Sequence, residues 1–147
     1  MRTSVLVLAM AGILTIVGGG HIGASQTGQM NHMGQVNDFR AYTPEALEAA
    51  QSAGKTTLLF FHAPWCPVCK AQEPKVKAQL NGEHDDVVAF KVDYDSNAAL
   101  RRQLKVDKQS TLILYQGAKE VARLSYKSDD AAIAEFFSHA TMMQEGR

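Results

Sequence analysis

An apolar run followed within a few residues by a closely spaced cysteine pair constrains this chain more than any other feature. Residues 58–61 are Leu-Leu-Phe-Phe, and Cys66 and Cys69 follow them as the only two cysteines in the chain. The run predicts a buried strand, and the turn after it predicts a helix that begins at the first cysteine. Residues three apart on a helix share one face about 5–6 Å apart, a separation that a disulfide tolerates. The pair can therefore open and close a disulfide with little backbone movement.

The position of the first cysteine favours thiol chemistry. At the start of a helix, Cys66 faces unpaired backbone N–H groups and the positive end of the helix dipole, which lower a thiol pKa and populate the nucleophilic thiolate. Cys69 lies one turn further in and is shielded. Pro67 suits the first helical position because its missing N–H costs nothing there. We interpret the pair as a centre for thiol–disulfide exchange.

Two other interpretations of the pair are open at this point. A zinc site would need two histidines to join the two cysteines, and His62 is the only histidine close in sequence. A purely structural disulfide would close a very short loop, which removes little entropy from the unfolded chain. Neither a zinc site nor a structural disulfide accounts for a cysteine pair between a buried strand and a helix as well as exchange chemistry does.

The N-terminal residues have the pattern of an export signal. Arg2 supplies a positive charge, residues 5–17 are apolar, and residues 18–20 are three glycines. We expect residues 1–24 to be a signal peptide cleaved after Ala24, or else an uncleaved membrane anchor. A buried N-terminal helix is the remaining alternative. Export outside the cytoplasm, to a periplasmic or similar compartment, would place the cysteines where disulfides form and persist.

Composition limits the classes of protein that fit this chain. The formal net charge is zero, so no nucleic-acid partner is expected. The length of 147 residues, 46% of them hydrophobic, supports one domain with an ordinary core. Residues 25–37 are rich in Gln, Gly, Asn and Met without apolar periodicity, which predicts a flexible linker before a domain over residues 38–147.

Helices and strands alternate along that domain. The pattern predicts helices over residues 43–54, 66–80, 97–104 and from residue 128 onward, and strands over residues 56–62, 87–92, 111–115 and 120–125. The last two strands form a hairpin. This order predicts an α/β fold with a mixed central sheet flanked by helices on both faces.

Over residues 38–140 the chain resembles the thioredoxin family. The resemblance rests on the motif from Trp65 to Lys70, on Pro74 five residues after the second cysteine, and on two strand motifs, Lys-Val-Asp at 91–93 and Thr-Leu-Ile-Leu-Tyr at 111–115. It implies a thioredoxin fold and a thiol–disulfide oxidoreductase. The order and spacing of these motifs together are far more specific than C-x-x-C alone.

The resemblance also implies the parts of a site. Cys66 and Cys69 are the expected catalytic residues, and the expected substrate-binding residues are Trp65, Pro67, Gln109 and Ser110. The expected substrates are protein disulfides, without an organic cofactor or a bound metal. With the export signal, the chain is most similar to exported reductases such as those of cytochrome c maturation, which implies a monomer that receives electrons from a membrane thiol donor.

The first departure from the family pattern is at Phe60. The family has a buried aspartate six residues before the first cysteine, and it assists proton transfer at the second cysteine. Phe60 stands at that position, so the base is missing. His62 is a candidate replacement, and an ordinary hydrogen-bonded histidine at a strand end is the alternative.

The second departure is at Ser110, where the family has a cis-proline before a threonine. A cis bond without proline costs roughly 3–4 kcal/mol, so we expect the Gln109–Ser110 bond to be trans. We expect the Ser110 hydroxyl to lie near Cys66, and a hydrogen bond from it to the Cys66 thiolate is one interpretation of this position. The alternative is that Ser110 only turns the loop.

Two rival functions fit the same sequence. One is a disulfide-forming oxidase or isomerase of the same fold, because the dipeptide between the cysteines tunes the reduction potential. The other is a copper-handling protein, because residues 30–33, Met-Asn-His-Met, offer thioether and imidazole ligands that suit Cu(I).

Overall fold

The computed structural model describes residues 37–144. The expected signal peptide and nearly all of the expected linker therefore lie outside the described residues. Asn37, the last residue of that linker, is held by the domain: its backbone N–H donates to Oδ1 of Asn81 at 2.7 Å, and its side-chain amide donates to the carbonyl of Leu80 at 3.2 Å.

Between residues 37 and 144, five strands and four helices follow one another in a mixed order. The strands are β1 (Arg40–Ala41), β2 (Thr56–His62), β3 (Val88–Asp93), β4 (Thr111–Gln116) and β5 (Lys119–Ser125). The helices are α1 (Pro44–Ser52), α2 (Pro67–Leu80), α3 (Ala98–Gln103) and α4 (Asp130–Gln144). Every predicted element is present, with ends that differ by a few residues at most, and β1 is an element that the sequence pattern did not reveal.

The strands form one mixed sheet in the order β1-β3-β2-β4-β5. β2 lies in the middle, parallel to β3 and antiparallel to β4, while β4 and β5 form the predicted hairpin. β1 is only two residues long and pairs in parallel with β3. A strand this short carries no periodicity of its own, so its pairing depends on the edge that β3 offers.

Two hydrophobic clusters cover the two faces of the sheet. Leu58 and Phe60 of β2 face α2 and α4, where they pack with Val76 and Phe137. On the other face the alternate residues of β2 pack with residues of β3 and β4, and with partly buried side chains of α1 and α3. The predicted α/β architecture, a mixed sheet with helices on both faces, is confirmed.

Local sequence explains where the flanking helices begin. Thr43 caps α1 by accepting the N–H of Ala46 at 3.1 Å, and Pro44 follows at the first helical position. Asp129 caps α4 in the same way by accepting the N–H of Ala132 at 2.9 Å. Over residues 37–144, none of the helices is long and apolar enough to cross a membrane.

The central position of β2 determines where the site lies. The strand is buried from its first residue to Phe61, and Cys66 follows at its carboxyl end. The loop before β4 reaches the same end, since the N–H of Ser110 donates to the carbonyl of Phe61 at 2.8 Å. The cysteine pair and the Ser110 loop therefore meet above one end of the central strand.

Candidate active site

The first turn of α2 holds the two cysteines in fixed geometry. Cys66 is the N-cap of α2, with φ −84° and ψ 115°, and its Sγ accepts the backbone N–H of Cys69 at 3.1 Å. The N–H of Cys66 in turn donates to the carbonyl of Ala63 at 3.0 Å. A sulfur that caps a helix takes the place of the usual capping oxygen, so the Cys66 sulfur lies at the positive end of α2, as predicted.

Both thiols are free and fully buried. Burial raises the pKa of Cys69 to about 11, and a hydrogen bond with Cys66 adds to the rise, whereas contacts with the Ala63 backbone and the Ser110 hydroxyl act in the opposite direction. At neutral pH the thiolate of Cys69 is then only about one part in ten thousand. Cys69 is therefore the shielded, protonated thiol of the pair.

The predicted substrate-binding residues divide into an exposed rim and a buried loop. Trp65 is 58% exposed, and its Nε1 donates to Oδ2 of Asp95 at 2.8 Å, which fixes the indole beside Cys66. Pro67 is also exposed, and Gln109 is half-buried. Trp65 and Pro67 thus offer an apolar surface on either side of Cys66 in the chain.

Ser110 is buried, and its backbone is held at both ends. Its N–H donates to Phe61, and its carbonyl accepts the N–H of Tyr126 at 2.9 Å. Within residues 37–144 every peptide bond is trans, which confirms the trans prediction for Gln109–Ser110. The φ of Ser110 is +58°, in the left-handed region that favours glycine.

The Ser110 hydroxyl has a different partner from the candidate Cys66. It donates to Oε1 of Gln72 at 2.9 Å, and the thiol that it influences is Cys69. The left-handed backbone at Ser110 determines the direction of its side chain, and this conformation has no signature in the sequence.

Gln72 is a further residue of this site, which the sequence pattern did not reveal. It is fully buried on α2, and its Nε2 donates to the carbonyl of Lys127 at 2.6 Å. Its signal in the sequence is position: Gln72 lies three residues after Cys69 and four before Val76, which places a polar side chain on the buried face of the helix. A buried amide at such a position requires partners, and here Ser110 and Lys127 supply them.

Comparison with known proteins agrees with this geometry. A family model described as Thioredoxin matches residues 40–139. Thioredoxin H3 of Arabidopsis thaliana is 32% identical over 99 residues, covering 67% of this chain and 83% of that protein. The chain belongs to the thioredoxin family. Relatives in this family are thiol–disulfide oxidoreductases, the enzyme class that the sequence predicted.

Two further relatives match this chain over part of their own length, and one solved structure has a similar fold. Thioredoxin H2-1 of Oryza sativa subsp. japonica is 34% identical over 85 residues, and the chain spans 61% of its length. The chain spans 52% of Thioredoxin H2-2 from the same species. The crystal structure of Trxlp from Edwardsiella tarda is 35% identical, with a TM-score of 0.64, over 67% of this chain and 97% of that one.

A buried aromatic ring stands at the position where the resemblance to the thioredoxin family implies a buried carboxylate. Phe60 is fully buried, and its ring lies 5.3 Å from those of both Phe39 and His62. Lys91, its neighbour in the register on β3, directs its Nζ to Oε1 of Glu73 at 2.5 Å. The nearest carboxylate partner of Lys91 therefore comes from α2 and not from β2.

His62 belongs to the same charged cluster. Its Nε2 lies 3.3 Å from Oε2 of Glu73. Burial lowers the pKa of His62, and the charge of Lys91 lowers it further, so the ring is neutral at pH 7 despite the nearby carboxylate. Partial burial acts to raise the pKa of Glu73, but the hydrogen bond and charge of Lys91 outweigh it and keep Glu73 ionised. His62 therefore lies against a carboxylate that Lys91 already engages.

The structure adds no further metal ligands, within its described residues, for either the zinc or the copper hypothesis. No three His, Cys, Asp or Glu side chains between residues 37 and 144 are grouped to hold a metal ion. The Met-Asn-His-Met segment of the copper hypothesis lies outside the described residues.

Alkylation of the reduced protein is expected to modify Cys66 first. Because the pKa of Cys69 is raised to about 11, its reactive thiolate falls about tenfold for each pH unit below that value. Mass spectrometry after brief alkylation near pH 6 should therefore find the label on Cys66, and labelling of Cys69 should grow as the pH approaches 11. Label that appears first on Cys69 near pH 6 would contradict the assignment.

Phe60→Asp is expected to speed the step in which Cys69 attacks, because it returns a carboxylate beneath the thiols. It should also destabilise the fold, since a buried aromatic is lost at about 3–5 kcal/mol and a carboxyl group enters an apolar site. The measurements are stopped-flow kinetics and chemical denaturation. Phe60→Asn is the matched control, because it has a similar size but no ionisable group. Equal rates in folded Phe60→Asp and Phe60→Asn would contradict the prediction.

Proposed function

We propose that this protein is a thiol–disulfide oxidoreductase that reduces protein disulfides outside the cytoplasm. The observation that carries the proposal is the position of the Cys66 sulfur at the N-terminus of α2, where it accepts the N–H of Cys69 at 3.1 Å. A thiolate at that position is stabilised by the helix dipole and by a backbone donor. The apolar segment at residues 5–17 supports the location.

The reaction has two exchange steps. The Cys66 thiolate attacks one sulfur of a substrate disulfide, the substrate bond breaks, and a mixed disulfide with Cys66 forms. Cys69 then loses its proton and attacks Cys66 Sγ, so the Cys66–Cys69 bond forms and the second substrate sulfur leaves as a thiol. Two electrons pass from the protein to the substrate, and a membrane thiol donor is proposed to return them.

The surface around Cys66 supports a protein substrate. Trp65 is the largest exposed apolar side chain of the described residues near the thiols, and Asp95 holds its ring in place. Exposed Pro67 follows Cys66, and half-buried Gln109 precedes Ser110. An apolar platform of this kind suits docking of a polypeptide segment better than docking of a small polar thiol. We propose that the protein acts on such segments as a monomer.

The reduction potential tests the direction of electron flow. We expect a value near that of thioredoxin, about −270 mV. Equilibration in dithiothreitol buffers, followed by the fluorescence of Trp65, the only tryptophan, would measure it. Cys66→Ala is the control that should give no redox-dependent signal. A value near that of a strong disulfide-forming oxidant, about −120 mV, would overturn the reductase assignment and favour the oxidase.

The location requires a separate test on the full chain. Expression in bacteria should place the protein outside the cytoplasm, either cleaved after Ala24 or retained at the membrane. A charge in the apolar segment, as in Leu8→Arg, should keep it inside, because a charged residue in this segment opposes insertion. Cell fractionation with N-terminal sequencing makes the measurement. Wild-type protein found only in the cytoplasm would contradict the proposal.

A further inference from the structure

Ser110 and Gln72 form a buried polar pair near Cys69, the inner thiol, and neither residue takes part in the two exchange steps described above. Ser110 Oγ donates to Oε1 of Gln72 at 2.9 Å, and Nε2 of Gln72 donates to the carbonyl of Lys127 at 2.6 Å. Ser110, Gln72 and Cys69 are all fully buried. Because Gln72 lies one turn after Cys69 on α2, the amide, the hydroxyl and the thiol share one dry environment.

The Ser110 hydroxyl has two acceptors for its single proton. A hydroxyl donates one hydrogen bond and accepts up to two. In the structure it donates to Gln72, which lies one turn after Cys69 on α2, and its hydrogen bonding also lowers the pKa of that thiol. While Cys69 is protonated, the thiol can donate to Ser110 and the hydroxyl can donate to Gln72. Once Cys69 is ionised, its sulfur becomes the stronger acceptor.

We propose that Ser110 donates a hydrogen bond to the Cys69 thiolate during the second exchange step, and that Gln72 is a positioning residue that holds the hydroxyl between turnovers. The inference rests on the proposed exchange reaction, but not on its location or on the direction of electron flow. It gives Ser110 a different acceptor from the candidate Cys66, and it gives Gln72 a role.

The atoms of the step balance without a further reactant. In the mixed disulfide, Cys69 loses its proton, which ends on the departing substrate sulfur, and the hydroxyl of Ser110 rotates from Gln72 to the new thiolate. The thiolate attacks Cys66 Sγ, the bond from Cys66 to the substrate breaks, and the departing substrate sulfur takes up that proton. Ser110 keeps its own proton throughout and returns to Gln72 when the Cys66–Cys69 bond has formed.

The backbone of Ala63 also lowers the pKa of Cys69, but among the side chains of residues 37–144 near this thiol only Ser110 supplies such a donor. Phe60 occupies the position of the family carboxylate in the same core cluster. The carboxylate of Glu73 is paired with Lys91, Lys77 and His62. Lys127 contributes only its backbone carbonyl to Gln72. Of the side chains that act on the pKa of Cys69, Cys66 raises it and Ser110 lowers it.

The backbone of Ser110 supports a specific role for its side chain. Its φ of +58° favours glycine, and a residue with a Cβ is disfavoured there by roughly 1–2 kcal/mol. Hydrogen bonds to Phe61 and Tyr126 hold this conformation. Glycine would relieve the strain but would bring no hydroxyl, and strained residues of this kind concentrate at functional sites.

Single-turnover kinetics tests the proposal. Reduced protein is mixed with an aromatic disulfide whose released thiolate is coloured, so the first release reports attack by Cys66 and the second reports attack by Cys69. The second phase is intramolecular, so the affinity for the disulfide does not enter it. Loss of a hydrogen bond to a charged sulfur should slow this phase about tenfold or more in both Ser110→Ala and Ser110→Gly.

The Gln72 variant makes the test specific. Gln72→Leu removes the competing acceptor, so the hydroxyl is free for Cys69 and the second phase should become faster than in the wild type. Titration of Cys69 by its thiolate absorbance, in a Cys66→Ala background, should show a higher midpoint in Ser110→Ala and a lower one in Gln72→Leu. Thr57→Val is the control, because it removes a buried, unbonded hydroxyl at the opposite end of β2.

Each outcome decides the question. Opposite shifts in the Ser110 and Gln72 variants, with Thr57→Val unchanged, support the proposal. An unchanged second phase in Ser110→Ala overturns it, and so does equal slowing in Ser110→Ala and Gln72→Leu, which would indicate a purely structural pair. If wild-type protein shows no second release at all, the exchange reaction itself fails. If Gln72→Leu does not fold, Gln72→Met gives the same comparison.

Discussion

The hydrogen bond from the N–H of Cys69 to the sulfur of Cys66 connects the chemistry of this protein to its fold. It caps α2, so the sulfur that we propose as the nucleophile also starts the helix. That arrangement depends on β2, which is buried between β3 and β4. Cys66, the cap residue, follows the carboxyl end of this strand. The arrangement also explains why the two cysteines differ. The Cys66 sulfur lies at the positive end of the helix, whereas Cys69 is enclosed one turn inside, where burial keeps its thiol protonated.

The resemblance to the family implies a buried aspartate near the enclosed thiol, and this chain has Phe60 at that position. With Phe60 beneath the site, the apolar packing of β2 against α2 is continuous, and the nearby carboxylate of Glu73 serves an ion cluster with Lys91 and Lys77. Besides the backbone of Ala63, a hydroxyl from the loop before β4, held by a buried amide, acts on Cys69. A neutral donor of this kind stabilises a thiolate without introducing a second buried charge, which would be costly in an apolar core.

Much of this arrangement was predictable from the sequence, for identifiable reasons. The apolar run of β2, the Pro at the start of α2 and the hairpin residues act locally, so their elements were placed correctly. β1 was missed because two residues carry no pattern and pair only where β3 offers an edge. The partner of Ser110 was not predictable because its side-chain direction follows from a left-handed backbone that distant contacts with Phe61 and Tyr126 impose. Gln72 was overlooked because a glutamine on a helix is usually solvated, and only tertiary packing shows that this one is buried.

Trapping of the mixed disulfide tests the central claim most directly. The claim is that Cys66 attacks the substrate and Cys69 resolves the product. Removal of the resolving thiol should leave substrates attached, so Cys69→Ala is expected to accumulate covalent adducts on Cys66 that reductant releases, while Cys66→Ala accumulates none. Mass spectrometry of the attached peptides would identify the sulfur involved. Adducts on Cys69 in the Cys66→Ala variant, at a yield equal to that of Cys69→Ala, would contradict the claim.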